Sequence, residues 1–110
     1  MTKEPDIGDV IARVFEVIEG RQGADPDTSY VAKLYARGRA KIAQKVGEEA
    51  VEAAIAAVQG EKAHVVAESA DLLFHLMVLW ADAGIKPSDI AAELARREGL
   101  SGIEEKKRRT

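Results

Sequence analysis

In EKAHVVAESADLLFHLMVLWADAG, residues 61–84, polar and apolar side chains separate only at the period of an α-helix. When each residue is advanced by about 100°, His64, Glu68, Asp71, His75 and Asp82 fall in one wedge of roughly 60°. Val65, Val66, Leu72, Leu73, Phe74, Leu76, Met77, Val78, Leu79 and Trp80 cover most of the remaining circumference. A helix apolar on so many sides has to be buried on as many sides. A chain of 110 residues has few helices with which to wrap it, so a helix from a second copy is the economical partner, and an oligomer is expected. No Lys or Arg occurs between Lys62 and Lys86, which leaves Glu68 and Asp71 without a helical cation three or four positions away. Taken alone, the wedge also reads as a thin solvated stripe, the ordinary state of charged residues.

Helical periodicity extends outward in both directions, and no window alternates with period two. A first helix is expected from about Asp6 to Gly20, with Ile7, Val10, Ile11, Val14 and Ile18 on one face. After a polar connection at Gly23 and Pro26, a second starts at the N-cap Ser29 and stops at Gly38. A third covers Arg39 to Gln59 and ends at Gly60. A fifth begins at Pro87, where proline suits a first turn, and runs to about Glu98. Short connections between long helices give antiparallel neighbours. The expectation is an all-α bundle of about five helices in a single domain over residues 1–110, its four-helix core completed by dimerisation.

The bulk composition limits the function. Hydrophobic residues make up 46% and charged residues 32%, a soluble globular balance. The absence of cysteine excludes disulfides, thiolate metal sites and a thiol nucleophile. A net charge of −3 argues against nucleic acid as the main partner. The N-terminal residues carry no apolar signal-like run, and the apolar stretch Leu72 to Ala81 is too short for a bilayer. The expected location is the cytoplasm. The basic ending Lys106-Lys107-Arg108-Arg109 reads as a solvated terminus without a function.

The third helix changes the reading of the acidic wedge. Glu48, Glu49 and Glu52 lie within five residues, and Glu49 falls beside Ile42 and Ala53 at the border of the apolar stripe. Two antiparallel helices, each with an acidic i,i+3 pair beside its packing face, bring four carboxylates together. Such a group raises its own pKa values or demands a cation. All-oxygen ligands select magnesium, manganese or calcium over zinc or copper. Magnesium in turn suits phosphoanhydride chemistry, in which it neutralises charge and activates water. Among the neighbours, Glu48 is expected to pair with Lys45 and His64 to be exposed. Asp82 is read as a helix-end residue, and Phe74, Met77 and Trp80 as core. His75 is either a hydrogen-bond partner of the acidic site or, preferably, a satisfied core histidine.

Glu48-Glu49-x-x-Glu52 followed by Glu68-x-x-Asp71 resembles the MazG-like, all-α nucleotide pyrophosphohydrolase superfamily. The blocks Ser29-Tyr30, Leu34, Gly38, Lys41-Ile42, Lys45 and Gly47-Glu48-Glu49 are similar to those of the phosphoribosyl-ATP pyrophosphohydrolase family. So are Asp71-Leu-Leu-Phe-His75 and Ser101-Gly102-Ile103-Glu104-Glu105-Lys106. The resemblance implies hydrolysis of 1-(5-phosphoribosyl)-ATP to 1-(5-phosphoribosyl)-AMP and pyrophosphate in histidine biosynthesis. It also implies Mg²⁺, with Mn²⁺ able to replace it, and a homodimer whose chains complete each other's sites. The product would pass to phosphoribosyl-AMP cyclohydrolase. Carried over, the ligands are Glu49, Glu52, Glu68 and Asp71, and the catalytic carboxylates are Glu49 and Glu52 with Glu48 as accessory. Lys41, Lys45, Arg37 and Arg39 are candidate phosphate contacts, with Ser29 and Tyr30 as further substrate contacts. Three other readings stay open: a MazG-type enzyme acting on ordinary or damaged nucleoside triphosphates, a di-iron bundle using Glu61-x-x-His64, and a non-catalytic dimerisation module.

Overall fold

The computed structural model describes residues 4–100, 102, 106 and 107. Of the C-terminal block and basic tail, Ser101, Ile103, Glu104, Glu105, Arg108 and Arg109 lie outside the described residues. The helices are α1 (Ile7–Gly20), α2 (Tyr30–Arg37), α3 (Arg39–Gln59), α4 (Lys62–Ala83) and α5 (Pro87–Arg96), and the described residues contain no strand. The all-α architecture read from the sequence is the one observed.

The helix boundaries follow from local chemistry. The Asp6 carboxylate accepts the amide of Gly8 at 2.7 Å, satisfying one of the orphan donors at the start of α1. Ser29 Oγ accepts the amide of Ala32 at 3.1 Å and starts α2 in the same way. α3 stops because Gly60 turns into the left-handed region, φ 85°, where a side chain is disfavoured. Two residues later α4 begins.

That turn folds α4 back along α3. Arg39 near the start of α3 reaches Asp82 near the end of α4, while Glu49 in mid-α3 lies beside Glu68 and Asp71. Rising numbers on one helix therefore meet falling numbers on the other, so the pair is antiparallel. α1 packs on α4, α2 on α3, and α5 touches α1. The core they enclose contains Phe15, Ile18, Val31, Leu34, Ile42, Met77 and Val78, with Phe74 and Trp80 packed against it from partly buried positions.

One chain does not wrap α4. Only His75, Met77 and Val78 of that helix are buried, and Val66 is 69% exposed. The radius of gyration, 16.0 Å, exceeds the value of about 13 Å for a compact chain of this length. By length and composition alone α4 could cross a membrane, with mean hydropathy 1.3. Its row of Glu68, Asp71 and Asp82 and its packing on α1 and α3 instead fit the central helix of a bundle.

Ile42 is completely buried and lies two turns before Glu49 on the same face of α3. Replacing it by alanine removes a side chain from the centre of the core and is expected to lower unfolding stability by about 2 to 5 kcal/mol. Chemical denaturation of the purified variant measures this, and a loss below 0.5 kcal/mol, the ordinary range for surface positions, would contradict the packing described.

Candidate functional site

The antiparallel register of α3 and α4 gathers the acidic residues. One carboxylate oxygen from each of Glu49, Glu68 and Asp71 can be chosen so that all lie within 4.8 Å of one another. Glu49 and Glu68 are partly buried and Asp71 is exposed, so the cluster has two shielded members and one open side. A cation of magnesium size sets opposite oxygen ligands about 4.2 Å apart, and one of calcium size about 5 Å apart. The three oxygens are thus spaced for a single hard cation after small side-chain adjustments. The donor set is all oxygen, and no ion pair neutralises Glu68 or Asp71 among the described residues.

The electrostatics show the crowding. The Glu68 carboxyl is pushed above its ordinary pKa, first by partial burial and then by the negative charges of Glu52, Asp71 and Glu49. Glu52 is within electrostatic reach of Glu68 but outside the tight triad, and it is exposed. Glu48 stands further out. It accepts a hydrogen bond from Gln44 at 2.8 Å and faces Lys45 at 3.5 Å. Its pKa is lowered by Gln44 first and then by Lys45 and Lys41.

The cations divide into two groups. Lys45 lies 3.7 Å from Glu49 and is the cation at the edge of the cluster. Its pKa is raised, first by the negative charge that Tyr30 carries as a phenolate and then by Glu48 and Glu49. Lys41 is one turn back, within reach of Glu48. Arg39 is not brought to the cluster: its guanidinium binds the Asp82 carboxylate and, at 3.1 Å, the Asp82 carbonyl. Ten residues of helix separate it from Glu49, roughly 15 Å at 1.5 Å per residue. Arg37 is exposed at the end of α2, and the Ser29 hydroxyl is used as the cap of α2.

Tyr30 enters from α2. Its hydroxyl lies 2.8 Å from His75 Nε2, and His75 Nδ1 lies 2.7 Å from the Asp71 carbonyl oxygen. The one-turn spacing of Asp71 and His75 was visible in the sequence, but the Tyr30 contact spans 45 positions and had no sequence signal. His64 and Glu61 are exposed and face each other at 3.7 Å, away from the core, which removes the geometric basis for a di-iron pair. Beside the cluster, Ile7, Val10 and Ile11 of α1 and Leu73, Phe74 and Met77 of α4 line an apolar groove of about 370 Å³ with Asp71 at its rim.

A family model described as phosphoribosyl-ATP pyrophosphohydrolase matches residues 11–98. The chain belongs to this family. A phosphoribosyl-ATP pyrophosphatase of Azospirillum brasilense is 62% identical over 100 residues, covering 91% of this chain and 90% of the relative. One from Paramagnetospirillum magneticum is 59% identical over 91% of this chain and 92% of its own length. One from Bordetella avium is 51% identical over 99% and 97%, respectively. All five helices fall within or across the matched region of the family model, and every residue of the carboxylate cluster lies inside it.

For this member of the family the raised Glu68 pKa has a defined sign. The metal-free fold is favoured with that carboxyl protonated and loses the contribution as pH rises through its titration. A bound divalent cation reverses the preference, because it needs the ionised ligand. A divalent cation held by these carboxylates is therefore expected to raise the unfolding midpoint at pH 7.5, by about 2.7 kcal/mol of added stability at a hundredfold excess over Kd. The increment should fade as pH falls through the carboxylate range. Thermal scans at matched ionic strength check this, and an equal shift at pH 4 and pH 7.5 would contradict carboxylate ligation.

Proposed function

We propose that this chain performs the reaction for which its family is named, hydrolysing 1-(5-phosphoribosyl)-ATP to 1-(5-phosphoribosyl)-AMP and pyrophosphate, with Mg²⁺ or Mn²⁺ held by Glu49, Glu68 and Asp71. The observation that carries this reading is the convergence of those three carboxylates within 4.8 Å in a chain that matches the family over residues 11–98. The reaction is the second step of histidine biosynthesis. It consumes one water and breaks the α–β phosphoanhydride, so pyrophosphate is the leaving group.

When bound, the metal supplies charge neutralisation on the triphosphate and an activated water. Glu52, outside the triad but near Glu68, is the carboxylate left to orient that water and receive its proton. Glu48 remains an accessory that keeps Lys45 in place. Lys45 meets a phosphate oxygen at the edge of the cluster, and Lys41 and Arg37 extend the positive rim toward the additional ribose phosphate. The Arg39–Asp82 pair supports the hairpin rather than the substrate.

The whole chain serves as one domain and acts as a homodimer in the cytoplasm, without nucleic acid or membrane partners. Its product passes to phosphoribosyl-AMP cyclohydrolase. Support for the dimer comes from the outer face of α3, where Val51, Ile55 and Val58 are 59%, 50% and 89% exposed along a shallow groove of about 410 Å³. The apolar groove between α1 and α4 reaches Asp71, so a second chain seated there would close the open side of the site.

Two experiments test these readings. Asp71→Asn keeps the size of the side chain but removes a charge, and should lower magnesium-dependent pyrophosphate release by about a hundredfold or more while circular dichroism stays unchanged. Turnover close to wild type in a folded variant would reject the ligand assignment. The double variant Ile55→Glu with Val58→Glu changes residues that are at least half exposed in one chain and should be nearly silent in a monomer. It is expected to convert a dimer to a monomer by light scattering, and an unchanged mass would reject this interface.

A further inference from the structure

His75 is the one polar side chain buried among the described residues, 5% exposed, and both of its ring nitrogens are engaged. The Asp71 carbonyl oxygen, 2.7 Å from Nδ1, can only accept, so Nδ1 carries the ring proton. Nε2 is then an acceptor, and the Tyr30 hydroxyl at 2.8 Å donates to it. Phe74 and Tyr30 meet the imidazole edge-on, with centroids 5.4 and 5.8 Å away, which limits its rotation. The result is a strut of two hydrogen bonds. It runs from the first turn of α2, through the ring, to the backbone of a cluster residue on α4.

The fold alone does not require that strut. Within α4 the Asp71 carbonyl already receives the His75 amide four residues on, so Nδ1 adds a second donor to a satisfied acceptor. A buried imidazole carries a desolvation cost that its hydrogen bonds offset, and an apolar ring would fill the space without it. What the strut does fix is the place of one turn of α4. Asp71 is the exposed member of the carboxylate triad, and among the described residues no side-chain hydrogen bond or ion pair holds its carboxylate. The charges of Glu49 and Glu68, a few ångströms away, push it outward until a cation is bound. α2 packs on α3, which carries Glu49, so a tie from α2 to the Asp71 turn opposes that displacement. A ligand held near its bound position in advance loses less freedom when it captures an ion.

We propose that His75, braced by Tyr30, is a positioning residue that holds the Asp71 turn of α4 in place for divalent-cation binding. This rests on the metal reading above, and it accounts for a polar ring at a core position one turn from a cluster carboxylate.

Mn²⁺ titration followed by electron paramagnetic resonance tests it in the full-length wild type, His75→Phe, Tyr30→Phe and the double variant. His75→Phe keeps an aromatic ring in the core and removes both hydrogen bonds, and it is expected to raise the Mn²⁺ Kd by about tenfold. Its metal-free unfolding midpoint should hold, because the Asp71 carbonyl keeps its helical donor and the half-exposed Tyr30 hydroxyl turns to water. Tyr30→Phe changes only that half-exposed position, which keeps the test available if His75→Phe folds poorly, and should weaken binding by a smaller factor. The double variant should bind no more weakly than His75→Phe alone, because both changes remove one strut. An unchanged Kd in either folded variant overturns the proposal, whatever happens to the unfolding midpoint. Multiplying effects in the double variant overturn it as well. A wild type that fails to bind Mn²⁺ overturns the metal reading and this inference together, whereas wild-type binding with unaffected variants removes this inference alone.

Discussion

Like charges held a few ångströms apart on two different helices set the terms for this molecule. Glu49, Glu68 and Asp71 converge because α3 and α4 are antiparallel and in one register, and a slip of a single residue would rotate either set by about 100°. The register is held from three sides. Gly60 turns the chain, Ile42 and Val78 lock the two helices into the core, and Arg39 binds Asp82 at the far end of the hairpin. Apolar packing supplies the free energy that keeps the carboxylates together, and their repulsion supplies the demand for a cation.

The same arrangement leaves apolar helix surface uncovered within one chain. α4 contributes side chains to the core on one side and exposes Val66 on another, while α3 shows Val51, Ile55 and Val58 to the outside. This apolar surface lies on the same helices that carry the acidic cluster. In the proposed dimer, covering the groove at Asp71 would exclude water from the site and strengthen every charge interaction within it.

Much of this was legible in the sequence because helices are governed by local rules. Asp6, Ser29, Gly60, Gly84 and Pro87 mark boundaries through their own hydrogen-bonding capacity or backbone freedom, and the observed helices begin and end at them. The i,i+3 spacing of Glu49 with Glu52 and of Glu68 with Asp71 placed the acids on two faces. What a wheel does not supply is how far each face turns toward its neighbour. Glu49 points into the gap, while Glu52, one turn on, stands outside the tight group. Arg39 with Asp82 and Tyr30 with His75 are contacts with no local signal, at separations of 43 and 45 residues. Both depend on which helices become neighbours, and only the packed core determines that.

A crystal grown with Mn²⁺ and examined by anomalous scattering addresses the central claim directly, since manganese shares magnesium's preference for oxygen ligands. The account predicts an anomalous peak bounded by Glu49, Glu68 and Asp71 at coordination distances of about 2.2 Å. A peak elsewhere on the chain, with these carboxylates turned apart, would contradict it.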